Sequence, residues 1–229
     1  PELMAAFDRV MSEGSFILRD DVHKFERSME EFLGVRYVIG VNSGTDALYL
    51  TLRALKIGDG DEVITTKHTF IATISAIRQV GGIPVFVKSG EDYCIDSGAI
   101  AGAITSKTKA IIPVHLNGRM CDMEKIRGYG LPVIEDACQA LGSSINGIKA
   151  GAWGRAGCFS THPMKTLGGF GDGGFISTNN DELAKKLRLM RNHAGEPYGF
   201  NSRLDNLQAA LLNVKVPHLN AAIKSRRAI

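Results

Sequence analysis

One lysine stands where it could do covalent chemistry. Lys165 lies between an apolar segment that ends at Ser160 and a glycine-rich stretch over residues 168–174. A lysine in a partly buried pocket can lose its proton and form a Schiff base with a carbonyl carbon. The alternative is a solvated loop lysine, which this segment taken alone favours. Lys165 is therefore a candidate nucleophile that needs support from other residues.

Two carboxylates and an amide follow a second apolar run. Pro132-Val133-Ile134 leads into Glu135 and Asp136, and Gln139 follows Asp136 by three positions. In an open α/β sheet, polar groups at the carboxyl end of a strand face the ligand crevice. Asp136 could bind a metal, a ribose or a protonated ring nitrogen there, or it could cap the next helix. The segment alone leaves these alternatives open.

A small polar turn precedes a third element of interest. Asn42-Ser43-Gly44-Thr45 follows the β-type run at residues 37–41 and leads into a helical pattern. Ser43 or Thr45 can cap that helix, and the free N–H groups of its first turn suit a phosphate. A plain helix cap after a strand explains the same residues, and this segment alone favours that explanation.

The elements that must position these residues alternate between short apolar strands and helical stretches, as is typical of an α/β fold. Runs such as residues 110–114 are apolar on both faces, which favours a mostly parallel sheet covered by helices. The pattern predicts helices over residues 21–33, 45–55, 70–80, 96–103, 181–193 and 204–214, and a helical pattern also opens the chain at Pro1. It predicts strands over residues 37–41, 62–65, 83–87, 110–115, 133–136, 158–160 and 174–178.

Charge and composition exclude several classes of function. The 229 residues include 27 basic and 24 acidic side chains, so the net charge is +3. That charge is too weak to indicate nucleic acid or an anionic membrane as a partner. No apolar run approaches the roughly 18–20 residues of a membrane span, and no signal-peptide pattern opens the chain. We therefore expect no nucleic-acid partner and no membrane association.

Cysteine and histidine spacing argues against a metal centre. The four cysteines form no C-x-x-C pair, and the six histidines show no H-E-x-x-H or comparable spacing. Buried free thiols are typical of a reducing cytoplasm. The sequence thus predicts a cytoplasmic protein that holds no metal.

The glycine-rich stretch matches a dinucleotide-binding pattern only formally. Residues 169–174 read G-x-G-x-x-G, but that fingerprint must follow a strand and open a helix. Here the glycines run into the predicted strand at residues 174–178. We therefore reject a Rossmann-type dinucleotide site, and no Walker A sequence is present.

Seven segments, taken in order, resemble those of the DegT/DnrJ/EryC1/StrS family of nucleotide-sugar aminotransferases, which use pyridoxal 5'-phosphate (PLP). The resemblance runs from Phe16 to about Lys215. It implies the large domain of a type I PLP-dependent transferase, an α/β fold with a mostly parallel seven-stranded sheet between two layers of helices. The segments are residues 42–48, 68–73, 114–118, 135–139, 159–165, 171–174 and 201–210.

The resemblance also implies roles around the cofactor ring. Lys165 would hold PLP covalently and serve as the catalytic general base and acid. Asp136 would pair with the pyridinium nitrogen, since an adjacent carboxylate keeps that nitrogen protonated. Gln139 would hydrogen-bond the ring oxygen, and Phe70 would stack on the ring face.

At the other end of the cofactor, the resemblance assigns phosphate binding to Gly44, Thr45 and Ser160. Asn201 would reach the phosphate of the neighbouring subunit's cofactor, which implies a homodimer with shared active sites. His115 and His162 would lie near the site, but the resemblance assigns them no role.

The implied reaction moves an amino group from an amino acid, glutamate by family habit, to a keto group of a nucleotide-linked deoxysugar. We expect residues 1–214 to form the PLP-binding large domain. Residues 215–229 would begin a helix leading to a small C-terminal domain outside this sequence.

Two alternatives share the scaffold: a PLP-dependent sugar dehydratase and a non-catalytic regulatory relative. Dehydratases of this type carry histidine in place of the lysine, so Lys165 argues against the first. Departures from the family pattern are Lys88, Arg19 and a short segment between His193 and Asn201. None of them falls on an expected cofactor ligand.

Overall fold

The computed structural model describes residues 1–195 and 199–228 of the chain. The short segment between His193 and Asn201 falls partly outside these residues. The helices, in chain order, are α1 (Glu2–Glu13), α2 (Asp20–Leu33), α3 (Gly44–Ala54), α4 (Ile71–Gln79), α5 (Met123–Arg127), α6 (Asp181–Met190), α7 (Asn206–Lys215) and α8 (Leu219–Arg227). Within the described residues, no helix is long and apolar enough to cross a membrane.

The strands form one central sheet and a small hairpin. They are β1 (Tyr37–Val41), β2 (Glu62–Thr66), β3 (Ile83–Val87), β4 (Thr108–Ile111), β5 (Ile134–Asp136), β6 (Ser144–Ile145), β7 (Ile148–Lys149), β8 (Ala156–Ser160) and β9 (Gly174–Thr178). The hydrogen-bonded orders are β3-β2-β4 and β5-β8-β9-β1. Two parallel bridges, Ile111 to Val133 and Val114 to Asp136, join β4 to β5 and complete a seven-stranded sheet.

Most of the sheet is parallel, as the sequence predicted. Four of its neighbouring pairs run parallel, whereas β9 runs antiparallel to both β1 and β8. β4 ends four residues before the predicted boundary at residue 115. Pro113 has no N–H to donate, so the ladder is interrupted there and continues only as isolated bridges.

Alternation along the strands divides the core into two sides of the sheet. Ile39 and Ile176 pack with α3, α4 and α6 on one side. Val38 and Phe175 pack with α2 and α7 on the other. Further along that second side, Ile111 packs beside α5. This arrangement confirms the predicted three-layer architecture.

One predicted helix is wrong. Residues 96–103 form only a 3-10 turn at Ile100–Ala103. The Asp96 carboxylate accepts the N–H groups of Gly98 and Ala99, so a local side-chain turn replaces the first helical turn. The sequence analysis also missed α5 and the β6–β7 hairpin, which are both very short.

The fold brings several strand ends to one edge of the sheet. Strands β2, β4, β5 and β8 run parallel, and β1 shares their direction because β9 is antiparallel to both β1 and β8. Asp136 is the last residue of β5 and Ser160 is the last residue of β8. Ser43 lies just beyond the carboxyl end of β1. Residues far apart in sequence therefore meet at this edge.

Candidate active site

A cavity of about 430 Å³ opens at that edge of the sheet. Its size falls in the range of small-molecule sites. Seven of the eight residues predicted for the cofactor line it, and only Asn201 does not. The seven are Gly44, Thr45, Phe70, Asp136, Gln139, Ser160 and Lys165.

The start of α3 forms one end of the cavity. Ser43 is the N-cap, and its Oγ accepts the N–H of Asp46 at 3.0 Å. The first turn of an α-helix leaves N–H groups without intrahelical acceptors, so those of Gly44 and Thr45 are available to an anion. The Ser160 side chain lies against the same turn, because a Cβ at Gly44 would come within 2.8 Å of Ser160 Cβ and Cys138 Sγ.

Replacing Gly44 with alanine should weaken PLP binding by about tenfold to a hundredfold, because overpacking costs roughly 1–3 kcal/mol. The added methyl group would push Ser160 or the helix start away from the place expected for the phosphate. Fluorescence titration with PLP measures the effect. Gly102→Ala is the matched control, since a Cβ there meets nothing within 4 Å. Equal PLP affinity in the two variants would contradict the assignment.

Asp136 is held from two sides. It is 5% exposed; its Oδ2 accepts the hydroxyl of Thr73 at 2.7 Å, and its Oδ1 accepts the N–H of Cys138 at 3.2 Å. A carboxylate offers about four acceptor positions, so capacity remains toward the cavity. Thr73 also contacts the hydroxyl of Thr69 at 2.7 Å. The carboxylate is therefore oriented before any ligand enters.

The orientation of Gln139 follows from its hydrogen bond. Its Oε1 accepts the backbone N–H of Asn117 at 3.0 Å. A backbone N–H can only donate, so the amide oxygen must face Asn117. The amide NH₂ group of Gln139 is then free to donate to an acceptor in the cavity.

Lys165 lies half-buried on the cavity wall, beside a thiol that stays protonated. Burial raises the pKa of the Cys138 thiol well above its usual range, and the negative charge of Asp136 raises it further. The positive charge of Lys165 lowers the pKa of the Cys138 thiol, but this effect is smaller than that of burial. Cys138 is therefore a poor nucleophile, and the lysine amine meets no competition from it for a carbonyl carbon.

Two predicted residues lie at or beyond the rim. Phe70 lines the cavity but is 66% exposed. Asn201 is exposed and forms an antiparallel bridge with Asn192, away from the lining of the cavity in its own chain.

Four residues to which the sequence analysis assigned no role also contribute to the site, and one of them, His162, was expected near it. Thr73 lies in a segment used for the resemblance. Its hydroxyl, three residues after Phe70, was the only local sign that it could hydrogen-bond a residue of the site. His162, Met164 and Asp172 also line the cavity. These three residues lie in the segments 159–165 and 171–174 that carry the resemblance. Only the meeting of several strand ends shows that their side chains line one cavity.

The profile of the DegT/DnrJ/EryC1/StrS aminotransferase family matches residues 1–229. The chain belongs to this family. Family membership agrees with the fold and with the residues that line the cavity.

Two curated relatives of this DegT/DnrJ/EryC1/StrS member carry different names. The pleiotropic regulatory protein of Geobacillus stearothermophilus is 47% identical over 99% of the chain. The UDP-N-acetyl-3-dehydro-alpha-D-glucosamine 3-aminotransferase of Acidithiobacillus ferrooxidans is 45% identical over 99% of the chain. The chain spans 64% of the length of each of these relatives.

Solved structures of the family superpose closely. DesV of S. venezuelae, in complex with a ketimine intermediate, has a TM-score of 0.93 at 41% identity, over 96% of this chain and 62% of its own. NtdA of Bacillus subtilis, with the bound cofactor PMP, has a TM-score of 0.90 at 38% identity, over 95% of this chain and 52% of its own. These likenesses confirm the type I PLP-transferase fold.

Proposed function

We propose that this chain is the cofactor-binding part of a PLP-dependent aminotransferase. It would transfer an amino group from an amino acid, with glutamate as the donor, to a keto group of a nucleotide-linked deoxysugar. The observation that carries the proposal is the meeting of Lys165, Asp136, Gln139 and the start of α3 in one cavity. The 3-aminotransferase name of the A. ferrooxidans relative supports the substrate class.

The residues of the cavity fit PLP. The helix start at Gly44 and Thr45 would hold the phosphate through N–H groups. Asp136 has acceptor capacity left for the protonated ring nitrogen, and the NH₂ group of Gln139 would donate to the ring oxygen. Lys165 would provide the covalent link. The close approach of Ser160 and Cys138 to Gly44 narrows the phosphate end.

When bound, PLP supplies an electron sink that stabilises negative charge next to the transferred nitrogen. Lys165 Nζ would take the proton from the substrate carbon and return it, acting as general base and acid. Asp136 would keep a positive charge on the ring nitrogen through its carboxylate. Cys138, held as a neutral thiol, would leave the reacting carbon to the lysine.

The test is a substrate screen with the purified protein and PLP. Keto-sugar nucleotides are offered with glutamate, and release of 2-oxoglutarate and of the amino sugar is measured. Matched release of both products with at least one sugar nucleotide supports the proposal. Failure to bind PLP at all would overturn it.

A regulatory role is the second candidate, because the G. stearothermophilus relative is named a pleiotropic regulatory protein. A regulator of this type would bind PLP yet release no 2-oxoglutarate with any sugar nucleotide. The same screen therefore separates the two functions, since PLP binding and turnover are measured independently.

We further propose a homodimer with shared active sites. Phe70 and Met164 line the cavity but are 66% and 78% exposed, so apolar surface surrounds its mouth. Asn201 does not line the cavity of its own chain. In the dimer, Asn201 of the partner subunit would reach the phosphate end.

Complementation between two inactive variants tests the shared site. Lys165→Ala removes a residue that serves its own cavity, whereas Asn201→Ala removes one that would serve the partner's cavity. A mixed dimer keeps one intact site, so re-associated mixtures should recover about a quarter of wild-type turnover, because half of the dimers are mixed. If the mixture shows no more turnover than the two variants measured separately, the active site is not shared between subunits.

The boundary at residue 214 also stays a proposal. The curated relatives are longer than the matched region, so they have room for a further domain outside it. Leu219, at the start of α8, is nevertheless buried in the core with residues of α2 and α7. The first turn of α8 thus packs on the large domain, and limited proteolysis of the whole protein would locate the true boundary.

A further inference from the structure

Glu135 is a fully buried carboxylate that does not line the cavity. Its oxygens accept the backbone N–H groups of Gly151 at 2.8 Å, Trp153 at 2.8 Å and Gly154 at 2.7 Å. His115 Nε2 is a fourth partner at 2.9 Å. Four donors fill the acceptor positions of a carboxylate, which offsets the cost of burying its charge.

The tautomer of His115 is set by its second hydrogen bond. The backbone N–H of Cys121 donates to His115 Nδ1 at 3.2 Å. That nitrogen therefore carries no proton, and the ring hydrogen lies on Nε2, where it is donated to Glu135. The imidazole is 0% exposed. It thus joins the loop before α5 to strand β5 through the protein interior.

The same loop holds Asp136 and Gln139, two of the four residues expected at the cofactor ring. The backbone N–H of His115 donates to the carbonyl of Asp136 at 3.0 Å, and the N–H of Asp136 donates to the carbonyl of Pro113 at 2.9 Å. Two residues after His115, the Asn117 N–H fixes Gln139 at 3.0 Å. Asn117 adopts a positive φ of 52°, the left-handed conformation that asparagine takes more readily than most residues.

We propose that His115 and Glu135 are positioning residues for the reaction. They would hold the backbone that places the Asp136 carboxylate at the ring nitrogen and the Gln139 amide at the ring oxygen. This inference rests on the proposed PLP chemistry. Neither side chain lines the cavity, so both would act only through Asp136 and Gln139. Partners of this kind are worth roughly 10- to 100-fold in ligand affinity or activity at comparable metal sites.

Three substitutions of His115 separate its two hydrogen bonds. His115→Gln keeps a donor near the Nε2 position for Glu135, His115→Asn keeps an acceptor near the Nδ1 position for Cys121, and His115→Leu removes both. We expect His115→Leu to weaken PLP binding by about tenfold to a hundredfold. It should also shift the pH midpoint of the visible absorbance of bound PLP. His115→Gln and His115→Asn should each give a PLP affinity and an absorbance midpoint between those of His115→Leu and the wild type.

A core substitution supplies the control for stability. Ile126 is fully buried in α5, does not line the cavity and shares a hydrophobic cluster with Cys121, so Ile126→Ala lowers the melting temperature but removes no donor or acceptor of the proposed network. Its PLP affinity and absorbance midpoint should equal those of the wild type. If His115→Leu behaves like Ile126→Ala in both measurements, the positioning role is overturned while the proposed function stands. A wild-type protein that binds no PLP overturns both.

Discussion

Replacing Lys165 with alanine is expected to abolish covalent attachment of PLP and to lower amino transfer by at least about 10²–10⁴-fold. The lysine is half-buried on the cavity wall, and the neighbouring Cys138 thiol cannot replace it because a Schiff base requires an amine. Borohydride reduction followed by peptide mass spectrometry measures the attachment. In the wild type the label should lie on Lys165, and in the variant no peptide should carry it.

Two further variants sharpen this result. Lys107→Ala, which removes an exposed lysine that does not line the cavity, should leave labelling and turnover unchanged. Lys165→Arg keeps the positive charge but should still fail to form the covalent link, which separates charge from nucleophilicity. Small primary amines added to Lys165→Ala should restore part of the turnover, since they can carry the same proton. Labelling of another lysine in the wild type would refute the assignment.

Asp136→Asn should lower the turnover number by roughly 10- to 1000-fold while leaving PLP affinity within about tenfold of the wild type. A carboxylate next to a cationic group shifts the pKa of that group by about 1–3 units, and each unit is a factor of ten. The ring nitrogen would therefore lose most of its positive charge in the variant. Single-turnover kinetics with glutamate measure the first half-reaction directly.

A cofactor analogue tests the reason for the Asp136 effect. PLP methylated at the ring nitrogen carries a permanent positive charge, so it should restore turnover to Asp136→Asn. Thr73→Val serves as a second comparison, because it removes the 2.7 Å hydrogen bond to Asp136 but leaves the charge. Thr73→Val should lower the turnover number by less than Asp136→Asn does. Full activity of Asp136→Asn with ordinary PLP would show that this carboxylate does not act on the ring.

Several parts of the structure could be predicted from local sequence. The seven strands, the helix start after Ser43 and the polar end of β5 all depend on near neighbours in the chain. Alternation, helix caps and strand-end carboxylates are short-range features. The predicted boundaries of these strands and of this helix were therefore nearly right. The wrong helix at residues 96–103 failed for an equally local reason, since the Asp96 side chain captures the N–H groups that the helix would need.

Other contacts of the site could be predicted only by knowing which strands are neighbours in the sheet. Thr73 bonds Asp136 across 63 positions of sequence, and His115 bonds Glu135 across 20. No spacing rule within one element can reveal such pairs, because they form only where β4, β5 and α4 pack together.

The amino-acid sequence was sufficient to indicate the α/β class, the family and Lys165, since these follow from short motifs in a fixed order. The tertiary structure decided that Lys165, Asp136, Gln139 and the start of α3 share one cavity. It also decided that Asn201 lies outside that cavity. The physical reason is that a parallel sheet gathers the carboxyl ends of distant strands at one edge, and only the completed sheet sets which ends become neighbours.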